Sequence, residues 1–166
     1  MRVTLIRHAE AGDDAPRDEA RTLTLRGRAD ARRVGRALAE RGVQFSMMVS
    51  SPLVRAVQTA EILARIARWP QALEASQLAP GLSVASALTL VGEQGSSGLV
   101  LVGHEPGLSR LVALAIGGPG SRAAIVLKKG GAACLGFEQA VRPGGAQLLW
   151  LATPKLLRAL GRASKS

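Results

Sequence analysis

A single cysteine, two tryptophans, two phenylalanines and no tyrosine stand among 166 residues. Cys134 alone cannot form an internal disulfide or build a multi-cysteine zinc or iron–sulfur site. Four aromatics leave little for the stacking platforms on which single-stranded nucleic acids lie. No run approaches the roughly 18 consecutive apolar residues of a membrane span. At the start, Met1-Arg2-Val3-Thr4-Leu5-Ile6-Arg7-His8 meets a charge after only four uncharged residues, too few for the apolar stretch of a secretory signal. With neither signal nor disulfide, the expected compartment is the cytoplasm. Histidine is scarce as well: His8 and His104 are the two in the chain.

What is present is positive charge. Lys and Arg number 22 against 12 Asp and Glu, a formal net charge of +10. Lysine occurs at 128, 129, 155 and 165, so the remaining 18 basic residues are arginines, spread along the chain rather than gathered in an arm. A basic domain suits an anionic partner, whether nucleic acid, membrane surface or phosphorylated substrate. The same excess could be no more than a surface preference for arginine, so charge alone decides nothing. The missing arm and missing aromatics argue against nucleic acid, and no membrane partner is expected. Hydrophobic residues make up 47% and charged ones 20%, which excludes a largely disordered chain. A chain of this length buries about two thirds of its unfolded surface and needs no metal or disulfide staple. One domain is expected over residues 1–160, with a frayed tail at 161–166.

Val3-Thr4-Leu5-Ile6 is a short apolar run ending at Arg7-His8 and reads as a buried strand. The acidic loop that follows holds Glu10, Asp13, Asp14, Asp18 and Glu19. It has no histidine and no regular ligand spacing, and reads as solvated rather than metal-binding. Thr24 caps a helix through about Arg41, with Ala31, Val34 and Leu38 at helical spacing and Gly42 as its stop. Phe45 to Val49 reads as a second strand. Ser51-Pro52 opens a second helix with Ser51 as N-cap and Pro52 at the first helical position. Its apolar side is expected from Leu53, Val54, Val57, Ile62, Leu63 and Ile66.

Residues 71–82 carry no clear pattern. Ala85 to Val91 reads as a short helix before a turn at Gly95-Ser96-Ser97-Gly98, and Leu99 to Val102 is the clearest buried strand. Pro106 begins a helix to about Ile116. Strands are expected at Ala124 to Leu127, Ala132 to Phe137 and Gln147 to Leu151, then a helical turn at Leu156-Leu157. Cys134 falls in an apolar strand and reads as core. Lys128-Lys129 reads as an exposed strand end or turn. Gly117-Gly118-Pro119-Gly120 lacks the Lys-Ser/Thr that would make it a phosphate loop.

Strands alternating with helices predict an α/β domain, with a largely parallel sheet between two helical layers. Ligands of such sheets bind outside the carboxyl ends of the strands. That rule selects Arg7-His8, Ser50 to Arg55 and Gly103-His104-Glu105, and both histidines are among them. Arg55 lies one turn into the second helix, where backbone N–H groups and the helix dipole favour anions. Two arginines and two imidazoles form a receptor for a compact dianion such as a phosphoryl group.

These residues resemble a known family. Leu5-Ile6-Arg7-His8-Ala9-Glu10 is similar to the strand-ending Arg-His signature of the histidine phosphatase superfamily. Ser51-Pro52-Leu53-Val54-Arg55-Ala56-Val57-Gln58-Thr59 resembles its second block, and Val102-Gly103-His104-Glu105-Pro106-Gly107-Leu108 its third. Order and separation match from Met1 to about Leu157. The short length and Arg21-Thr22-Leu23-Thr24-Leu25-Arg26-Gly27 resemble the small SixA-like branch, the phosphohistidine phosphatases.

The resemblance implies a phosphoglycerate mutase-like α/β/α fold and a metal-independent, cofactor-free phosphatase. His8 is then the nucleophile that takes the phosphoryl group. Arg7, Arg55 and His104 hold the phosphoryl oxygens. Arg21 is expected either over the substrate or simply at the surface. Larger members use a mid-chain carboxylic acid to protonate the leaving group. The corresponding stretch, Leu78-Ala79-Pro80-Gly81, has none, and Glu74 and Glu105 are the nearby alternatives. An alkoxide needs that acid, whereas a phosphoramidate nitrogen leaves readily once protonated. The expected substrate is therefore phosphohistidine on a protein. A phosphatase or mutase for small phosphate esters, and a non-catalytic basic phosphate-binding module, are the alternatives.

Overall fold

The computed structural model describes residues 1–81, 83–95 and 98–163. In chain order its strands are β1 (Arg2–Arg7), β2 (Met47–Ser50), β3 (Leu73–Glu74), β4 (Gly98–Gly103), β5 (Ala132–Phe137) and β6 (Ala146–Ala152). The helices are α1 (Leu25–Glu40), α2 (Val54–Ala67), α3 (Val84–Glu93), α4 (Gly107–Gly117) and α5 (Pro154–Ala163). The strands form one sheet in the order β3-β2-β4-β1-β5-β6. The first four are parallel, and β5 runs antiparallel to both neighbours. This is the expected three-layer, largely parallel architecture.

The unbroken apolar runs of β1 and β4 follow from burial on both faces. Val3, Leu5, Leu99 and Leu101 pack with Leu88, Val91, Leu108 and Val112 of α3 and α4. Ile6, Val100 and Val102 turn the other way, against Val34, Leu38, Leu63 and Leu157 of α1, α2 and α5. Cys134 is buried, as expected of a core residue.

Helix α1 starts where the sequence places it. The Thr24 hydroxyl accepts the Gly27 N–H at 2.9 Å, a cap worth about 1 kcal/mol. Gly27 is needed for close approach, since a Cβ there would overlap the Glu10 carbonyl oxygen. The loop leaving β1 thus lies directly on the helix, joined by Thr24 N–H to Glu10 O at 3.1 Å.

Three expectations need correction. Helix α2 begins at Val54 with Leu53 in the cap position, not at Ser51-Pro52; the Ser51 hydroxyl accepts the Leu53 N–H at 3.3 Å and also lies 2.8 Å from His104 Nε2. Its buried side also differs: Arg55 and Thr59 are buried, while Val54 and Val57 are partly exposed. Residues 124–127 form no strand. Their backbone is satisfied by side chains instead, the Leu127 N–H by Glu105 and the Leu127 carbonyl by Arg7. The expected turn at 95–98 and the tail at 161–166 lie partly outside the described residues; α5 itself extends to Ala163.

Strand β4 inserts between β1 and β2, which brings three carboxyl ends side by side. His8 N–H donates to Gly103 O at 3.0 Å, and Ser51 N–H to Val102 O at 2.9 Å. Both histidines emerge on this edge of the sheet.

Candidate active site

His8 leaves the end of β1 almost fully buried. Its Nδ1 lies 2.7 Å from the Ala9 carbonyl oxygen. A carbonyl only accepts, so the proton sits on Nδ1 and Nε2 keeps its lone pair. Into that lone pair points Arg55, whose Nε–H donates to His8 Nε2 at 3.3 Å. Burial is the largest influence on this imidazole and pushes its pKa down to about 4. The Ala9 hydrogen bond opposes the shift, while Arg55, Arg7 and Lys129 add to it. At neutral pH His8 is an uncharged imidazole with Nε2 unprotonated, the state a nucleophile requires.

Arg55 is 5% exposed, and the acidic loop supplies its counter-charge. Its NH1 donates to the Asp18 carbonyl at 2.6 Å and its NH2 to Asp18 Oδ2 at 2.8 Å. Hydrogen bonds from Arg55, then from Arg21, hold the Asp18 carboxyl below its ordinary range. The helix bearing Arg55 is fixed to the strand bearing His8 through Thr59. That hydroxyl accepts the Ala9 N–H at 3.1 Å and donates to the Arg55 carbonyl at 2.7 Å.

His104 follows β4, its ring centroid 4.9 Å from that of His8. Its Nε2 is 2.8 Å from the Ser51 hydroxyl. Burial first, then the neighbouring His8 and Arg55, push its pKa down to about 3, with Asp18 opposing. His104 is therefore neutral in the free protein. Arg7 donates from NH1 to Leu127 O at 2.9 Å. Among the described residues, the buried side-chain polar atoms without a hydrogen-bond partner are Arg7 Nε and His104 Nδ1. Arg7 Nε–H can only donate, and buried donors are nearly always paired, so it marks where an acceptor belongs, with His104 Nδ1 as the second unpartnered atom of the site.

The chain matches the sequence model of the histidine phosphatase superfamily (branch 1) over residues 3–77, which contain Arg7, His8 and Arg55. An uncharacterised protein of Picosynechococcus sp. is 36% identical over 137 residues, covering 79% of this chain and 82% of that one. The chain belongs to the histidine phosphatase superfamily. The protein histidine phosphatase SixA, solved with tungstate, superposes with a TM-score of 0.84 at 24% identity, over 93% of this chain and 98% of that one. The alpha-ribazole phosphatase of Shigella flexneri does so with a TM-score of 0.71 at 21% identity, over 93% and 97%. At such identities these likenesses establish the histidine phosphatase fold.

Four residues singled out in the sequence, Arg7, His8, Arg55 and His104, converge at the three strand ends. Arg21 does not join them directly. Its Nε donates to Gly12 O at 2.7 Å, its NH1 to Asp18 Oδ1 at 3.1 Å, and its NH2 to Asp13. Neither glutamate is poised beside His8. Glu105 Oε1 accepts the Leu127 N–H at 2.9 Å and Oε2 the Ser109 N–H at 3.3 Å, so its carboxylate holds the loop entering β5. Glu74 pairs in register with Ser50 on β3, an exposed edge three strands from β1, roughly 14 Å at about 4.8 Å per strand.

Sequence reasoning missed Asp18, Ser51 and Lys129. Asp18 sits in an irregular loop with no periodicity to mark it. Ser51 before Pro52 reads as a cap because that is the usual use of Ser-Pro. Lys129 is exposed in a turn, as the sequence suggests; what the sequence does not show is that its charge acts on His8. The Gly130 N–H reaches the Arg7 and His8 carbonyls at 3.1 and 3.2 Å, bringing the 128–131 loop against the site.

Proposed function

We propose that this protein removes phosphoryl groups from histidine side chains of a protein substrate, through a phosphohistidine formed on His8. The observation that carries the reading is the unprotonated Nε2 of His8, flanked by the Arg55 fork and by the unpaired Arg7 Nε and His104 Nδ1.

In the first step the Nε2 lone pair attacks phosphorus. The P–N bond to the substrate imidazole breaks, and its electron pair stays on the departing nitrogen, which carries or takes up a proton. In the second step water attacks the phosphorus on His8, releasing inorganic phosphate and restoring the imidazole. Arg55 and Arg7 stabilise the equatorial oxygens in both steps. With the Ser51 hydroxyl donating to Nε2 of His104, the proton of that ring sits on Nδ1 and serves a third oxygen. An arriving dianion offsets the neighbouring cations, so His104 gains a proton more easily once phosphate is bound.

The leaving group argues for phosphoramidate over ester. Glu105 is tied to backbone and to Ser109, and Asp18 is held ionised by Arg55, so neither delivers a proton readily. A phosphoramidate nitrogen tolerates that lack better than an alkoxide oxygen. The net charge of +10 supports recruitment of an acidic phosphoprotein.

Turnover of a phosphohistidine protein should exceed turnover of sugar phosphates and of p-nitrophenyl phosphate at equal concentration. Faster ester hydrolysis would reverse the assignment toward a small-ester phosphatase, an activity compatible with the same fold.

A further inference from the structure

We propose that Asp18 and Arg21 are positioning residues of the phosphoryl site. Asp18 grips the outer edge of the Arg55 guanidinium and so turns its Nε edge toward the phosphorus beside His8, while Arg21 holds Asp18 in place. The inference rests on the phosphoryl-transfer reading of this site but not on which substrate it takes.

A guanidinium carries five N–H groups in a rigid planar fork. The two terminal nitrogens of Arg55 both donate to Asp18, one to its carbonyl and one to Oδ2. Its Nε–H points at His8 Nε2. The fork is thereby divided. Its outer edge belongs to Asp18, and its inner edge, Nε–H with the second N–H of NH2, is the one a phosphoryl group on His8 can engage with two hydrogen bonds. Asp18 is not a competitor for that inner edge.

An exposed carboxylate would not hold such an orientation unaided, and Asp18 has a side chain 55% exposed. Arg21 supplies the constraint. It bonds Oδ1 of Asp18, leaving Oδ2 for Arg55, and is itself anchored on Gly12 O and Asp13. A continuous chain runs from the attacking nitrogen through Arg55, Asp18 and Arg21 to the loop backbone. The backbone of α2 has its own attachment through Thr59 and Ala9. Loss of Asp18 therefore acts on the guanidinium rather than on the placement of the helix. This also gives Arg21 a role that neither substrate contact nor surface exposure describes.

The test pairs two readouts on the full-length protein: kcat and KM with a phosphohistidine protein, and affinity for inorganic phosphate by calorimetry. In Asp18→Ala, kcat should fall about 100-fold, as expected for a catalytic group displaced by about 1 Å. Phosphate affinity should fall less, because a misplaced fork loses more in the transition state than in the ground state. Asp18→Asn keeps an acceptor for Arg55 and should recover part of the lost kcat. If Asp18→Ala fails to fold, Asp18→Asn and Arg21→Met are read instead, each with reduced kcat at near-normal phosphate affinity. In a folded background the double variant Asp18→Ala, Arg21→Met should be no worse than Asp18→Ala alone, because the residues act in series. Wild-type kcat in these variants, tighter phosphate binding, or additive losses would overturn the proposal. A wild-type protein inactive on phosphohistidine but active on p-nitrophenyl phosphate would count against the substrate assignment alone, since kcat on the ester then carries the same comparison of variants.

Discussion

A neighbouring arginine disfavours protonation of the His8 ring, and what is left to decide is which ring nitrogen keeps its lone pair. The Ala9 carbonyl settles this by fixing the proton on Nδ1, which leaves Nε2 to accept from Arg55. At His104 the partner is the Ser51 hydroxyl, 2.8 Å from Nε2, which as a donor there leaves the ring proton on Nδ1. Replacing Ser51 by Ala should leave the fold intact and lower kcat/KM by about 10-fold, the scale of one lost hydrogen bond of about 1.4 kcal/mol. An unchanged kcat/KM would show that the His104 tautomer is set by other means. Arg7, His8, Arg55 and His104 were legible in the sequence because each lies at a strand end or one turn into a helix, where local pattern fixes position. Asp18 and Ser51 were not, because their roles depend on which distant segment faces them.

At the scale of elements, the sheet and α1 follow closely from periodicity and capping, and the departures have identifiable causes. Helix α2 starts later than Ser-Pro suggests: its first turn closes on the Leu53 carbonyl, and the Ser51 hydroxyl lies between the Leu53 N–H and His104. It turns Arg55 and Thr59 inward because they meet partners from β1 and the acidic loop. Residues 124–127 have strand-like composition, yet the Glu105 and Arg7 side chains replace the pairing a strand would need. The same dependence on close approach makes Gly27 critical. Gly27→Ala would force α1 away from the loop after β1, and should cost about 1–3 kcal/mol of stability by overpacking. A urea midpoint equal to wild type would show that the helix start can shift freely.

For the whole molecule, two buried imidazoles link folding to pH. Both titrate near 6.5 when unperturbed, but burial brings His8 to about 4 and His104 to about 3 in the folded state. Between those values the unfolded chain binds more protons than the folded one. Stability present above about pH 6.5 is thus lost as pH falls toward 4 and then 3. Urea midpoints should decline across that window, and replacing both histidines by Asn should flatten the decline. A window unchanged in the double variant would mean that other groups carry it.

The +10 charge now divides into a few arginines with defined partners at the site and a larger remainder. The proposed recruitment of an acidic substrate calls for kcat/KM to fall with ionic strength while kcat holds.

The covalent step is tested most directly by trapping. The protein is mixed briefly with a protein carrying labelled phosphohistidine, quenched in base, and separated from its substrate. Wild type should carry an acid-labile, base-stable label that maps to His8 and is absent from His8→Ala. Full turnover by His8→Ala, or a label on any other residue of the wild type, would contradict the account.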